Sequence, residues 1–247
     1  CAIFKKNVHI YYVIISKRGN MKLLLIDGSN LIFRGYYATE KQNIMTPNGE
    51  PANAVHTLVG MINKMILEHK PTHIFIGLDT GKSTFRHEAY PEYKGKRSET
   101  PEQIKSQFQL AKNMYDAMGI KYDATELYEA DDLIATYAKI AKEKGFEVQV
   151  VSGDKDLLQL VDDKVKVLTP AMGFAKEVNY DIEVFTTKFE FKPERFIEYK
   201  ALVGDSSDNI IGVEKLGDKT AKKLIKEYPG IREMVVAAKE GIIKNKL

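Results

Sequence analysis

The chain has 247 residues, 44% hydrophobic and 29% charged, which fits a globular protein with a sizeable core. Its 37 basic and 34 acidic residues give a formal charge of +3 at pH 7. The single cysteine, Cys1, excludes an internal disulfide and a thiolate zinc cluster, and favours a cytoplasmic protein.

Residues 1–20 differ from the rest of the chain, which shows a clean strand pattern from Met21 onward. The apolar stretch from Val8 to Ile15 is shorter than the about 20 residues that cross a membrane, so we expect no membrane association. It follows lysines, as in a signal peptide, but precedes no small-residue cleavage site. Translated upstream sequence, a cloning remnant and a genuine extension all remain open. We favour the first two and expect residues 1–20 to lie outside the fold.

Beyond Met21 the chain alternates between short apolar runs and amphipathic segments. Three continuous apolar runs indicate strands buried on both faces of a parallel sheet: 23–26, 74–76 and 148–151. Val165 and Val167 predict a further strand, which ends before Pro170. Apolar residues at helical spacing predict three helices: 53–68, 101–118 and 129–144. From Pro193 onward we predict helices alone.

This alternation predicts an α/β fold with a central, mostly parallel sheet flanked by helices. We divide the chain into the extension 1–20, an α/β catalytic domain 21–190 and a helical region 191–247. Within the α/β domain, residues 80–100 are polar, basic and aromatic with no clear period.

Acidic residues follow the three apolar runs and recur in tight clusters. The nine are Asp27, Asp79, Glu129, Asp131, Asp132, Asp154, Asp156, Asp205 and Asp208. Ligands of open α/β sheets lie beyond the carboxyl ends of the strands, so we expect these side chains at one edge. Nine carboxylates cannot share one place ionised without a neutralising charge. Carboxylate oxygens suit Mg²⁺ and Mn²⁺, so the pattern predicts a site for divalent cations.

Each acidic cluster also has a structural explanation as a helix cap, a turn or a favourable charge at a helix N-terminus. We favour the metal site because three strand ends and three clusters can face one side of one sheet. Asp131 and Asp132 would then point in adjacent directions from one helix. Asp205 and Asp208 would share a face if their segment is helical.

Basic residues dominate the remainder of the chain. Apart from the nine acids, 37 basic residues face 25 acidic ones, about +12, which suits a polyanionic substrate; a mixed-charge solvated surface is the alternative. Residues 80–100 combine cations with aromatic rings, as suits single-stranded nucleic acid, or form an exposed loop with incidental aromatics. We interpret Gly212–Leu224 as helix, tight glycine turn and helix, with a lysine-rich face that either binds phosphates or is simply solvated.

Six stretches in this order and spacing resemble the 5′-nuclease family, which includes the 5′–3′ exonuclease domain of bacterial DNA polymerase I, its stand-alone bacterial and phage counterparts and, more distantly, the flap endonucleases. They are 25–30, 85–86 with 93–97, 129–132, 153–156, 204–209 and 212–221. The resemblance runs from about residue 22 to 229. Such domains usually continue for several more helices, so we expect a chain that is short at its C-terminus.

The resemblance implies a PIN-like or resolvase-like core, a helix-hairpin-helix region and two metal subsites. The first subsite would use Asp27, Asp79, Glu129 and Asp131, with Asp132 near the shared side. The second would use Asp154, Asp156, Asp205 and Asp208. Two cations about 4 Å apart can activate water, stabilise phosphoryl charge and assist the leaving oxygen.

The resemblance also implies substrate contacts. Residues 80–100 would form an arch over the 5′ strand, with Lys94 and Arg97 as catalytic residues near the scissile phosphate and Tyr93 stacked on the terminal base. The other implied DNA contacts are Phe85, Arg86, Lys96, Lys200, Gly212, Lys215, Gly217, Lys219, Thr220 and Lys222. A K⁺ ion could bind carbonyl groups of the helix-hairpin-helix.

We therefore expect a magnesium- or manganese-dependent 5′–3′ exonuclease and 5′-flap endonuclease for DNA, acting in replication and repair. Its partners would be DNA with 5′ ends or flaps and a polymerase domain of the same full-length protein. We expect a monomer in the cytoplasm, associated with the nucleoid. The alternatives are a non-catalytic DNA-junction-binding module, a related ribonuclease and, less favoured, a small-molecule phosphatase.

Overall fold

The computed structural model describes residues 21–170 and 176–243. The predictions for residues 1–20 and for the last four residues lie outside these ranges. Within them, one sheet contains β1 (Lys22–Asp27), β2 (His73–Leu78), β3 (Lys121–Ala124), β4 (Glu147–Val151), β5 (Val165–Thr169) and β6 (Val178–Tyr180). The strand order is β3-β2-β1-β4-β5-β6, and all neighbours pair in parallel except β5 and β6. The predicted mostly parallel sheet is confirmed.

The helices of the α/β domain are α1 (Gly28–Thr39), α2 (Asn53–His69), α3 (Phe85–Ala89), α4 (Glu102–Ala117), α5 (Ala130–Glu143) and α6 (Ile182–Phe189). The C-terminal region contains α7 (Phe196–Val203), β7 (Gly204–Asp205), β8 (Ile210–Ile211), α8 (Asp218–Glu227) and α9 (Ile231–Lys239). The predicted helices 53–68, 101–118 and 129–144 correspond to α2, α4 and α5. Among the described residues, no helix has the length and apolar character needed to span a bilayer.

Two hydrophobic cores cover the two faces of the sheet, because successive strand residues point to opposite sides. Leu24 and Ile26 of β1 face a core formed with α1, α2 and α4. Leu23 and Leu25 face the other core, formed with α5 and with apolar residues of α6 to α8. Burial on both faces explains why β1 is a continuous apolar run.

The strand register brings the acidic residues to one edge of the sheet. Asp27 pairs with Gly77, so Asp79 lies two residues beyond that level, directly after β2. Ile26 pairs with Val151, so the turn that carries Asp154 begins at the same edge on β4. Sheet pairing alone therefore aligns the three strand-end aspartates.

The structure corrects the prediction that the chain is entirely helical after Pro193. Gly204, whose φ is +74°, ends α7, and the chain continues into the antiparallel pair β7–β8, which is joined by a turn at residues 206–209. Asp205 therefore lies in β7 and Asp208 in the turn, and the condition that they share a helix face is not met. The Gly212–Leu224 prediction of two helices also fails in part, since residues 212–217 are not helical and α8 is the one helix in that range.

Gly212 is required by packing at the end of α7. A Cβ built there would lie 2.4 Å from the Val203 carbonyl carbon and 2.5 Å from the Gly204 nitrogen. We expect Gly212→Ala to lower the free energy of unfolding by about 1–3 kcal/mol, because backbone atoms must move to accept the methyl group. Urea denaturation without DNA measures this change.

Gly217→Ala is the matched control, because nothing lies within 4 Å of a Cβ built at Gly217. Gly217 is the N-cap of α8, where alanine costs less than about 1 kcal/mol. Equal losses in the two variants would contradict the packing role of Gly212.

Candidate metal centre and nucleic-acid interface

The strand-end aspartates each fix the start of a helical segment. Asp27 accepts a hydrogen bond from the Asn30 amide at 2.9 Å and caps α1. One carboxylate oxygen of Asp79 accepts from the Ala130 amide at 2.8 Å, at the start of α5. One oxygen of Asp154 accepts from the Asp156 amide at 2.8 Å. Capping and ligand binding are therefore compatible, since each of these bonds uses one oxygen of a two-oxygen group.

Two adjoining cavities open beside these residues. The first, of about 470 Å³, is lined by carboxylates of both predicted subsites: Asp27, Asp79, Glu129, Asp131 and Asp154. The second, of about 660 Å³, is lined by Asp154, Asp156, Asp205 and Lys200, among others. Asp154 and Asn30 line both cavities. The structure thus brings seven of the nine predicted acids to two neighbouring spaces.

Burial at this edge disfavours the charged form of the carboxyl groups. It raises the pKa of Asp27 to about 7, against the opposing effect of hydrogen bonds from Asn30 and Ser152, and repulsion from Asp79 and Asp154 adds to the rise. Burial, followed by repulsion from Asp132, raises the pKa of Asp131 to about 7. Burial also raises the pKa of Asp154. Positive charge at this edge is therefore strongly favoured.

Around the acidic residues 129–132, arginine and lysine side chains from another segment supply part of that positive charge. Arg86 binds both oxygens of Asp132, at 2.6 and 2.9 Å, and lies 3.6 Å from Glu129 and 3.8 Å from Asp131. Its hydrogen bond with Asp132 raises the pKa of Arg86. Lys94 Nζ lies 2.7 Å from Glu129 Oε1. Asp132 also accepts from the Glu129 amide at 3.0 Å, so Asp132 is occupied by local structure.

The second cavity has its own cation. Lys200 Nζ lies 2.7 Å from Asp156 and also binds Asp205. Burial would raise the pKa of Asp205, but the bonds from Lys200 and Ser207 outweigh it and lower the pKa to about 2. Lys200, predicted to contact DNA, therefore lies among the acids of the second subsite.

In the described part of the chain, no group of three or more His, Cys, Asp or Glu side chains is arranged around one point as a complete metal site. The carboxylates are instead held by cations and amides. Asp131 Oδ1 is buried and has no hydrogen-bond partner within the described ranges. Such an oxygen, on a wall of carboxylates, fits a hard divalent cation by its donor chemistry.

Tyr93 connects the two acidic clusters. Its hydroxyl lies 2.9 Å from Glu129 Oε2 and 3.0 Å from Asp208 Oδ2, and its single proton can be donated to only one of them at a time. The side chain is 5% exposed. The predicted stacking of Tyr93 on a base stays a prediction, and it requires the ring to become accessible.

Residues 80–100 contain the short helix α3, which sequence periodicity missed, followed by turns that contact the β7–β8 turn. The Lys94 amide donates to the Asp208 carbonyl at 3.0 Å, and Lys94 has a left-handed φ of +56°. Arg97 binds the Asp208 carboxylate, and Asn209 donates to the Glu92 carbonyl at 2.9 Å. Phe85 and Lys96 are exposed. The predicted catalytic pair, Lys94 and Arg97, is thus located beside the acids.

The predicted contacts in the C-terminal region are largely exposed. Lys215, Lys219 and Thr220 are exposed, whereas Lys222 is partly buried and pairs with Asp218 at 3.2 Å. Gly217 caps α8 without a side-chain hydrogen bond, which leaves amides at that helix start open to an anion. Gly212 differs, because close packing against Gly204 already accounts for a glycine there.

Sequence reasoning missed three polar residues that hold the acids in place. Ser29 Oγ accepts from the Asp79 amide at 2.8 Å, and Asn30 Oδ1 accepts from the Gly153 amide at 2.9 Å. Ser152 Oγ donates to Asp27 at 2.7 Å. Ser29 and Asn30 follow Asp27 directly in a stretch that carries the resemblance, but only the tertiary contacts reveal what they bind.

Comparison with known proteins finds similar sequences along nearly the whole chain. Residues 22–198 match the family model described as 5′-3′ exonuclease, N-terminal resolvase-like domain, and residues 191–247 match 5′-3′ exonuclease, C-terminal SAM fold. DNA polymerase I of Mycobacterium bovis is 40% identical over 218 residues, which are 88% of this chain and 24% of that protein. The chain spans about a quarter of the length of the curated relatives it matches.

Two solved structures from bacteriophage T5 are similar throughout most of the fold. T5 5′-exonuclease with bound divalent zinc ions has a TM-score of 0.70 at 27% identity, covering 87% of this chain and 78% of that chain. A T5 flap endonuclease variant, in a pseudo-enzyme–product complex with DNA and metal ions, has a TM-score of 0.68 at 27% identity with the same coverage. The resemblance to the 5′-nuclease family is confirmed. Because the two family models together span residues 22–247, the chain belongs to the 5′-3′ exonuclease family.

Proposed function

We propose that the chain is a divalent-metal-dependent nuclease that hydrolyses DNA phosphodiester bonds from 5′ ends and at 5′ flaps. The observation that carries the proposal is the pair of adjoining acidic cavities that share Asp154, next to a basic segment. Family membership supports it, as do the metal ions and DNA in the T5 structures. The substrate of the whole protein and its work in replication and repair are parts of the same proposal.

The metals in this proposal are two Mg²⁺ or Mn²⁺ ions. Asp27, Asp79, Glu129 and Asp131 would hold one, with Asp132 at the side; the other would be held by Asp154, Asp156, Asp205 and Asp208. When bound, such cations supply an activated water and stabilise charge on the phosphate and the leaving oxygen. The unpartnered oxygen of Asp131 and the raised pKa values of Asp27 and Asp131 support this assignment.

The protein's own cations would neutralise the substrate. Lys94 and Arg97 would bind the scissile phosphate, and Lys94 would exchange its bond with Glu129 for one with a phosphoryl oxygen. Phe85, Tyr93 and Lys96 would contact the single strand, while Arg86 and Lys200 would hold acids as well as phosphates. The open helix start at Gly217, with Lys215, Lys219, Thr220, Lys222 and Gly212 nearby in sequence, would hold duplex DNA, with a K⁺ ion on backbone carbonyls.

A longer protein is part of the proposal. The curated relatives are DNA polymerases I of about four times the matched length, so a polymerase domain would accompany this chain. A domain boundary near residue 190, a monomeric state and a nucleoid-associated location in the cytoplasm complete the proposal.

The central test replaces a shared acid without removing a cap. Asp154→Asn keeps an oxygen for the Asp156 amide but removes the charge. We expect cleavage of a 5′-labelled flap in Mg²⁺ to fall about 100-fold or more, while binding of the flap in Ca²⁺ is retained. Single-turnover assays and fluorescence anisotropy measure the two quantities.

Asp181→Asn is the matched control, because Asp181 caps α6 through the Val184 amide at the end of antiparallel β6, toward the start of β5 and away from the acidic edge. It should cut at the parent rate. Parent-like cleavage by Asp154→Asn would remove Asp154 from the site, and a parent chain that binds but never cuts would favour the non-catalytic module. Faster cleavage of a matched RNA flap would favour the ribonuclease.

Lys94→Ala and Lys96→Ala separate chemistry from binding. The Lys94 ammonium group is bonded to Glu129, whereas Lys96 is exposed. We expect Lys94→Ala to slow single-turnover cleavage about 10- to 100-fold with little loss of affinity, since its charge acts on the reacting phosphate. Lys96→Ala should weaken binding and leave the saturated rate unchanged. A pure affinity loss in Lys94→Ala would refute its catalytic role.

Asp27 provides a pH test. Its pKa of about 7 exceeds the ~3.9 of an unfolded aspartate, so the folded protein retains a proton that the unfolded chain has released. Its contribution to stability is therefore full below about pH 4 and is lost as the pH rises through about 7. With EDTA present, Asp27→Asn should gain stability relative to the parent by up to about 4 kcal/mol from pH 4 to pH 8.

Urea denaturation at several pH values measures this difference, with Asp181→Asn as a control at a partly buried helix-capping carboxylate. Parallel stability profiles for Asp27→Asn and the parent would mean that Asp27 titrates as an ordinary aspartate.

A further inference from the structure

Ser152 is fully buried, with 0% exposure, at the end of β4. Its hydroxyl donates to Asp27 Oδ2 at 2.7 Å and accepts from the Asp154 amide at 2.9 Å. Its own amide donates to the Leu168 carbonyl of β5 at 3.1 Å. One hydroxyl therefore donates to Asp27, which lines the first cavity, and accepts from the amide of Asp154, which lines both cavities.

This arrangement fixes the distance between the two subsites. Asp27 is held at both oxygens, by the Asn30 amide and by Ser152. Asp154 is held through its amide by Ser152, and the Gly153 amide binds Asn30. Two polar tethers thus join the end of β4 to the end of β1 and the start of α1. Because water is excluded from Ser152, no solvent molecule can replace its bond to Asp27.

We propose that Ser152 is a positioning residue that orients Asp27 and Asp154 together for divalent cations. The inference rests on the proposed function. Ser152 acts through the carboxylates and touches neither substrate nor metal. Loss of partners that orient metal ligands commonly costs about 10–100-fold in metal affinity, so a comparable effect is expected here. A merely structural hydroxyl would contribute to stability and leave the affinity of the folded protein unchanged.

The test is calorimetric titration of the full chain with Mn²⁺ in the absence of DNA. We expect Ser152→Ala to weaken Mn²⁺ binding about 10–100-fold and to shift the Mn²⁺ dependence of cleavage by a similar factor. Flap affinity in Ca²⁺-free buffer with EDTA should not change. High Mn²⁺ should restore part of the cleavage rate, since the carboxylates themselves remain.

Thr169→Val is the matched control. Thr169 Oγ1, at the end of the neighbouring strand β5, is buried and has no hydrogen-bond partner in the described ranges. Its removal should leave Mn²⁺ affinity unchanged. Ser152→Cys is a second variant, somewhat larger than serine and with a weaker donor, so it tests the bond even if Ser152→Ala does not fold. It should bind Mn²⁺ more weakly than the parent.

Parent-like Mn²⁺ affinity in a folded Ser152→Ala or Ser152→Cys variant overturns the inference and leaves the proposed nuclease intact. Weakened Mn²⁺ binding in these variants, with no cleavage by the parent chain, supports the positioning role and refutes the nuclease. A parent chain that binds no Mn²⁺ overturns both.

Discussion

Repulsion among carboxylates at one edge of the sheet is the interaction on which the arrangement of this region depends. The parallel register brings Asp27, Asp79 and the Asp154 turn to the same edge of the sheet, and the start of α5 adds Glu129 and Asp131. Burial removes the water that would solvate the charged carboxylates, and repulsion between them adds to this effect, so the pKa values of Asp27 and Asp131 rise to about 7. Cations and hydrogen-bond donors accordingly lie against these acids, among them Arg86, Lys94 and Lys200.

The neutralising groups come from two segments that are distant in sequence. Arg86 and Lys94 come from residues 80–100, and Lys200 comes from α7. Tyr93 lies between the clusters and faces both Glu129 and Asp208. The same electrostatic demand thus joins the α/β domain, the basic segment and the C-terminal region. Under the proposed function, a cation bound here would compete with bonds already made, so metal affinity and the position of the basic segment would be thermodynamically linked.

Helix capping and the proposed metal binding involve the same side chains in this fold. Asp27 caps α1, and Asp154 holds the turn that follows β4 with one oxygen. Two serines hold these acids in turn: Ser29 accepts a hydrogen bond from the Asp79 amide, and Ser152 donates one to the Asp27 carboxylate. The acids are therefore oriented by the secondary structure that they begin, a rigid way to present ligands.

The sequence by itself determined the elements whose signal is local. Continuous apolar runs identified β1, β2 and β4, and helical spacing identified α2, α4 and α5, because burial on two faces or on one stripe leaves a direct periodic trace. The acids at the strand ends followed from the same runs. The matched stretches identified the family before any contact was known.

Tertiary structure decided what depends on partners distant along the chain. The β7–β8 pair replaces a predicted helix because Gly204, with its positive φ, ends α7 and Gly212 packs against it, a contact with no periodic signal. The composition of residues 80–100 predicted side chains that contact the substrate. In the structure, Arg86 from this segment binds Asp132, and Tyr93 is buried between Glu129 and Asp208. Sequence patterns identify which residues carry charge, but the packing of the whole chain determines which of them form ion pairs. The physical reason is that burying an unpaired charge costs free energy, so each buried charge is paired with a group that the fold places beside it.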